Sequence, residues 1–300
     1  MRICALFPGQ GFQRFGMLAG LAERAPRVVE PFLEQCDRSL PSLELSRLLL
    51  GQGEPVDTTP TEIAQPLLLA QGVAHFRAWQ SENNAKAQFG MGHSLGEFTA
   101  LVAAGILDFS AGLKLVRERG LAMRDAAGPN GFGMTMVAKP RAFKGDWLGL
   151  VEQCSAKTGT DLAAFNSPTQ TVASGSTADL AAFVAELKQH APKLIAKSLP
   201  VSSAFHSRHM RPAADRLAEL VRANQFEFAN REFDVVSNLT GRPYASEEEI
   251  RHNLVAALTS PVKWAQSYAY VEPQIDEFVS MGGEIGKLMQ RDTKVPTSSF

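Results

Sequence analysis

Ser94 lies in Gly92-His93-Ser94-Leu95-Gly96-Glu97, after the apolar run 87–91 and before a helical stretch, 98–104. A serine between two glycines at a strand-to-helix turn has the form of a nucleophile elbow. The glycines allow a backbone path that a Cβ would obstruct, so the hydroxyl can stand exposed at the end of a sheet. The following helix aims its unpaired N–H groups at the same spot, where they favour negative charge. Such a serine suits attack on a carbonyl and formation of an acyl-enzyme. Ser94 and Glu97 also fit a capping box, and the bare Gly-x-Ser-x-Gly pattern often arises by chance, so other residues must decide.

An attacking serine needs a base, and histidine titrates near neutrality. Of the six histidines, His75 and His252 fall inside predicted helices and His190 ends another. The His93 side chain is expected to point away from that of Ser94. His206 and His209 remain, in the stretch 200–209 that leads from a strand into a helix. Loops at such junctions line clefts. His206, ahead of the helix start, is the better candidate base, with His209 on the helix facing solvent.

Arg119 stands out on its helix. At about 100° per residue, Leu115, Ala122 and Met123 surround it, whereas Arg117 lies among Leu113, Lys114, Leu121 and Arg124. Arg119 is therefore the more buried of the two, and a buried guanidinium calls for an anion. Its planar fork can bind a carboxylate through two parallel hydrogen bonds, which lysine cannot reproduce.

The elements that must position these groups follow from the pattern. Residues 3–7 read as a first strand and Pro8-Gly9-Gln10-Gly11 as a turn. Amphipathic segments run to about residue 50, and a helix opens at Pro66 and ends near Gln80. The elbow strand, the elbow helix and a helix over 109–126 come next, then a loop at 127–131. Residues 132–199 read as strand (132–137), helix (143–155), strand (161–165), a turn at 166–168, strand (170–173), helix (177–189) and strand (193–199). That is the order of a ferredoxin-like module. It is inserted into a larger α/β domain, which resumes with a helix over 210–224, a strand over 233–237, helices flanking Ser260-Pro261, and a strand over 277–280.

The fold class expected is α/β: an α/β-hydrolase-like large subdomain with a parallel sheet (1–128 and 200–300) and an inserted ferredoxin-like small subdomain (129–199). The 300 residues suffice for both. Hydrophobic residues make up 45% and charged ones 20%, ordinary for a globular protein. A net charge of −1 without basic blocks argues against nucleic acid as a partner. Cys4, Cys36 and Cys154 form neither a disulfide framework nor a metal-ligand spacing, which points to a reducing cytoplasm. No metal site and no membrane span are expected.

Four patches in order carry a resemblance: 7–13 (Phe-Pro-Gly-Gln-Gly-Phe-Gln), the elbow, 115–120 with Arg119-Gly120, and 204–207 (Ala-Phe-His-Ser). Residues 166–168 and 238–243 also match. The chain resembles the malonyl-CoA:acyl carrier protein transacylases, the family that includes acyltransferase domains of fatty acid and polyketide synthases. The resemblance implies ping-pong transfer of a malonyl group from malonyl-CoA, through Ser94, to the phosphopantetheine thiol of an acyl carrier protein. It implies Ser94 as nucleophile, His206 as base, and the backbone N–H groups of Gln10 and Leu95 as oxyanion hole. Arg119, Phe205 and His93 are the implied substrate-binding residues: Arg119 grips the free carboxylate, and the Phe205 ring fills space beside the α-carbon. His206 is expected to be oriented by a backbone carbonyl, here assigned to 261–264. No cofactor is implied, and the family suggests a monomer. Arg208 and Arg211 are candidates for facing an acidic carrier protein.

Phe12, the run 134–139 and the glycines near 282 depart from the family pattern. These departures favour a discrete enzyme acting in trans on a polyketide assembly line over the housekeeping fatty-acid enzyme. The rivals are an acyl hydrolase of the same fold, which has no need of Arg119, an esterase with a full triad using Asp161 or Asp179, and a non-catalytic docking subunit.

Overall fold

Two β-sheets organise the chain, and most of their strands are the apolar runs of the sequence. The computed structural model describes residues 1–127, 131–201 and 203–300. The loop expected at 127–131 and the boundary expected between 128 and 129 fall on 128–130, outside the described residues. In chain order the elements are β1 (Ile3–Phe7), α1 (Ala19–Arg24), α2 (Pro26–Ser39), α3 (Leu45–Leu50), α4 (Thr61–Asn83), β2 (Ala87–Gly92), α5 (Leu95–Ala103) and α6 (Phe109–Ala126). Then come β3 (Phe132–Ala138), α7 (Trp147–Thr158), β4 (Asp161–Ser167), β5 (Gln170–Ser176), α8 (Thr177–His190) and β6 (Ile195–Ser198). The remainder is α9 (Arg211–Ala223), β7 (Asp234–Val236), α10 (Glu247–Ala256), α11 (Trp264–Val271), β8 (Glu277–Ser280) and β9 (Thr297–Ser299).

The larger sheet is parallel throughout, in the order β7-β2-β1-β8-β9. Its central strand β1 is buried at every position, as a parallel strand covered on both faces must be. The smaller sheet is antiparallel, β4-β5-β3-β6, and with α7 and α8 it encloses its own core around Val137, Trp147, Val151 and Phe183. This is the ferredoxin-like order expected, beside a large α/β unit.

The edge strand β4 of the smaller sheet is tied to two segments that follow it in the chain. Val262 donates to the Ala163 carbonyl and accepts from the Phe165 N–H, both at 2.9 Å, extending the edge strand β4. Arg208 grips Asp161, at the start of β4, through its backbone N–H at 2.8 Å and its Nη2 at 2.6 Å. That pairing engages one of the two arginines assigned above to a carrier protein.

Several expectations need correction. Helix α4 begins at Thr61, so Pro66 sits inside it rather than opening it. The missing N–H of Pro66 leaves the Glu62 carbonyl free within the helix, and Arg117 Nη1 takes it up at 2.6 Å. Helix α7 begins at Trp147 because Asp146 caps it, accepting from the Gly149 N–H. The turn expected at 166–168 is Pro168-Thr169, with Asn166 and Ser167 retained in β4. Strand β9 has no apolar run to announce it.

Candidate active site

Ser94 joins the C-terminal end of β2 to α5 with φ 53° and ψ −107°. A non-glycine residue at positive φ costs about 1–3 kcal/mol and persists only when its surroundings hold it. Both flanking glycines are demanded by crowding. A Cβ at Gly92 would lie 1.8 Å from the Gly96 carbonyl carbon, and one at Gly96 would lie 2.2 Å from the Phe7 carbonyl oxygen. The capping-box alternative fails, since the Ser94 side chain makes no cap bond. Glu97 is buried and turned elsewhere, accepting from the Asn238 N–H at 2.8 Å and the Tyr244 hydroxyl at 2.6 Å. Burial raises its pKa to about 7 against those hydrogen bonds.

His206, itself at φ 56°, places Nε2 2.8 Å from Ser94 Oγ. Its Nδ1 is 2.8 Å from the Ala257 carbonyl and 3.3 Å from that of Ser260. Because both partners of Nδ1 are acceptors, the neutral ring carries its proton there and presents a bare Nε2 to the serine. This corrects the assignment to 261–264. The Val262 carbonyl accepts the Phe165 N–H at 2.9 Å, whereas the Ala257 carbonyl, just past α10, accepts only a long 3.4 Å bond from the Ser260 N–H among the described backbone groups. Burial, and then the positive charge of Arg119, lower the His206 pKa to about 4. The acids that a full triad would need are engaged elsewhere: Asp161 holds Arg208, and Asp179 accepts from Ser176 Oγ.

Arg119, only 2% exposed, lies on the buried face of α6. Its Nη1 donates to Gln65 Oε1 at 2.7 Å and its Nη2 reaches Ser94 Oγ at 3.3 Å. Its ring-side neighbour is Phe98, 5.3 Å from the guanidinium carbon to the ring centroid. Among the described residues its Nε has no partner and no carboxylate stands within ion-pair distance. Burial lowers its pKa to about 10, opposed by the charge of Glu97.

These three side chains open onto one cavity of about 250 Å³ between the subdomains. Gln10, Leu95, His93 and Phe205 line it too, with Met134, Ala164, Asn166 and Val172 from the small sheet. Among the described residues the backbone N–H groups of Gln10 and Leu95 donate to no acceptor of the chain. His93 turns its Nε2 to Asn166 Oδ1 at 2.9 Å, so its ring borders the cavity without meeting the serine hydroxyl. His209 is half-buried against Phe132, with ring centroids 4.6 Å apart, rather than facing solvent. Among the described residues no cluster of three or more His, Cys, Asp or Glu could hold a metal ion.

Sequence reasoning missed the polar groups that support the site. Gln65 carries Arg119 and passes on through Thr61 to the Gln10 side chain, each step at 2.9 Å. Asn238 touches the elbow, and Ala257 the histidine. Asn166 and Asn238 stood in matched patches, a signal that marked their positions but not their contacts.

The chain matches the acyl transferase domain family over residues 5–282. It is 35% identical over 289 residues to the malonyl CoA-acyl carrier protein transacylase of Haemophilus influenzae, covering 95% of this chain and 88% of that one. An acyl carrier protein S-malonyltransferase from Vibrio cholerae superposes with TM-score 0.90 at 31% identity, covering 100% of this chain and 97% of that one. A malonyl-transacylase solved in complex with its type II polyketide acyl-carrier protein gives TM-score 0.88 at 31% identity, covering 100% and 96%.

Proposed function

Because the chain belongs to the acyl transferase family, among the malonyl CoA-acyl carrier protein transacylases, we propose that it carries malonyl groups from malonyl-CoA to the phosphopantetheine thiol of an acyl carrier protein. Ser94 Oγ attacks the thioester carbonyl as His206 Nε2 takes its proton. The N–H groups of Gln10 and Leu95 receive the oxyanion. Collapse breaks the C–S bond, and the departing CoA sulfur recovers the proton from His206. The carrier thiol then gives its proton to His206, attacks the malonyl-serine ester, and Ser94 leaves with that proton.

The observation that carries this reading is the buried, anion-free guanidinium of Arg119 at 3.3 Å from the nucleophilic oxygen. Malonate puts its free carboxylate one methylene from the reacting carbonyl, so one bound molecule spans both groups. An acyl hydrolase acting on neutral chains has no use for that cation. Intact-mass analysis after mixing with malonyl-CoA should find one malonyl ester, on the peptide containing Ser94. Equal labelling by acetyl-CoA would remove the proposed role of Arg119.

For the pathway, the reading is a discrete enzyme acting in trans on polyketide carrier proteins. Phe12 and Met134, which belong to the departures from the family pattern, both line the cavity. Transfer rates to polyketide and fatty-acid carrier proteins test this, and a preference for the latter would assign the housekeeping role. A cytoplasmic location, and subdomain limits of 1–128 with 200–300 and 129–199, belong to the same proposal. In support, all three cysteines are free and buried, and among the described residues no helix is long and apolar enough to cross a membrane.

A further inference from the structure

We propose that Asn238 is a positioning residue for the nucleophile, its side-chain amide clamping the Ser94 backbone so that Oγ stays against His206. The inference rests on the reading of Ser94 as nucleophile. Asn238 Oδ1 accepts from the Ser94 N–H at 2.7 Å, and Nδ2 donates to the Gly92 carbonyl at 2.7 Å. A backbone N–H can only donate and a carbonyl only accept, so these partners admit a single orientation of the amide. The two bonds straddle the elbow, one on the last residue of β2 and one on the residue at positive φ.

The clamp is itself fixed. The Asn238 N–H donates to Glu97 Oε1 at 2.8 Å, and Tyr244 donates to the same oxygen. Glu97 lies on α5, the helix that Ser94 opens, so elbow, helix and clamp form a closed ring. On the other side, the Asn238 carbonyl accepts from the Lys263 N–H at 2.9 Å. That segment follows Ser260, one of the two carbonyls facing His206 Nδ1. Asn238 therefore ties together the backbones that present the alcohol and the imidazole. It is 3% exposed, with every polar group engaged.

Strained backbone relaxes when its anchors are removed. Loss of the clamp lets Ser94 leave φ 53°, which carries Oγ away from its 2.8 Å contact with His206. Displacement of a reacting atom on the order of 1 Å costs roughly 100-fold in rate.

The test compares single-turnover acylation by malonyl-CoA for the parent, Ser94→Ala, Asn238→Ala and Asn238→Asp, between about pH 5 and pH 8. Asn238→Ala should acylate roughly 100-fold more slowly at every pH, with the half-saturating malonyl-CoA concentration little changed. Asn238→Asp is isosteric. Protonated, it keeps both bonds, accepting from Ser94 and donating to Gly92; ionised, it sets a charge against the Gly92 carbonyl. Its rate should approach that of the parent at low pH and collapse as pH rises, a profile that a merely structural residue would not produce. If Asn238→Ala does not fold, the aspartate profile decides alone. Parent-like rates for Asn238→Asp across the range, or slow rates without acid recovery, overturn the clamp. Labelling of Ser94→Ala as readily as the parent overturns instead the assignment of the nucleophile.

Discussion

Arg119 Nη2 stands 3.3 Å from Ser94 Oγ, and the same guanidinium is held on its other arm by Gln65 at 2.7 Å. A cation so placed adds little to folding, because among the described residues no ion pair offsets its desolvation and only the charge of Glu97 opposes it. Its position is intelligible as a receptor for one. Removing a buried charged contact in a closed site costs about 2–5 kcal/mol, which corresponds to roughly 30- to several-thousand-fold in rate. Arg119→Ala should lose malonyl transfer by that factor while sparing acetyl transfer, and Arg119→Lys should recover only part of it. Acylation rates with the two donors check this, and equal losses for both would assign Arg119 to structure alone.

The His206 ring, with its pKa lowered to about 4, is neutral and able to accept a proton across the ordinary working range. The acid limb of the acylation rate should therefore lie near pH 4, well below the usual histidine value of 6.5. The sign carries over to stability. Below about 6.5 the unfolded chain protonates this imidazole while the folded chain does not, so its contribution to stability falls as pH drops from about 6.5 to about 4. Denaturant titrations of parent and His206→Gln should diverge across that interval, the parent losing more stability toward acid.

Phe205 is buried at the cavity wall, next to His206 in sequence. Phe205→Ser should open room beside the α-carbon and admit methylmalonyl-CoA. One methyl group in an apolar pocket changes selectivity on the order of tenfold, so competition between the two donors resolves the effect. Unchanged selectivity would detach this ring from the substrate.

Gly96 has the Phe7 carbonyl where a Cβ would go, at 2.2 Å. Gly96→Ala must push β1 and the elbow apart, at a cost of about 1–3 kcal/mol or more. A melting point lowered by several degrees, together with lost acylation, is the expected outcome. A variant with the parent's melting point would show that the two backbones can separate freely.

Ser94 is held in a strained backbone conformation, with φ 53°. Ser94→Gly should be more stable than Ser94→Ala by about 1 kcal/mol, since glycine accepts positive φ and alanine does not. Both variants should be unacylated. Chemical denaturation measures the difference, and an alanine variant as stable as the glycine one would mean that the elbow is unstrained.

Much of the site was legible because its signals are local. The elbow is one short string whose glycines and serine carry their reasons with them. The burial of Arg119 followed from helical spacing alone, since three apolar neighbours on one face of α6 fix which arginine turns inward. The small module was readable from alternating strands and helices, although Asp146 displaced the start of α7; in the large unit, Arg117 let α4 run through Pro66.

What the sequence by itself determined was the set of candidate groups that meet in the cavity and the elements that carry them. Only the tertiary structure decided their partners. Nothing local distinguishes the Ala257 carbonyl from that of Val262; the choice is made by β4, which occupies Val262 and leaves the carbonyl beyond α10 to the imidazole. Nor could spacing show that Asn238 reaches back to Ser94 across 144 residues of chain. Backbone donors and acceptors are alike at every position, so their pairing is set by which segments the fold brings into contact.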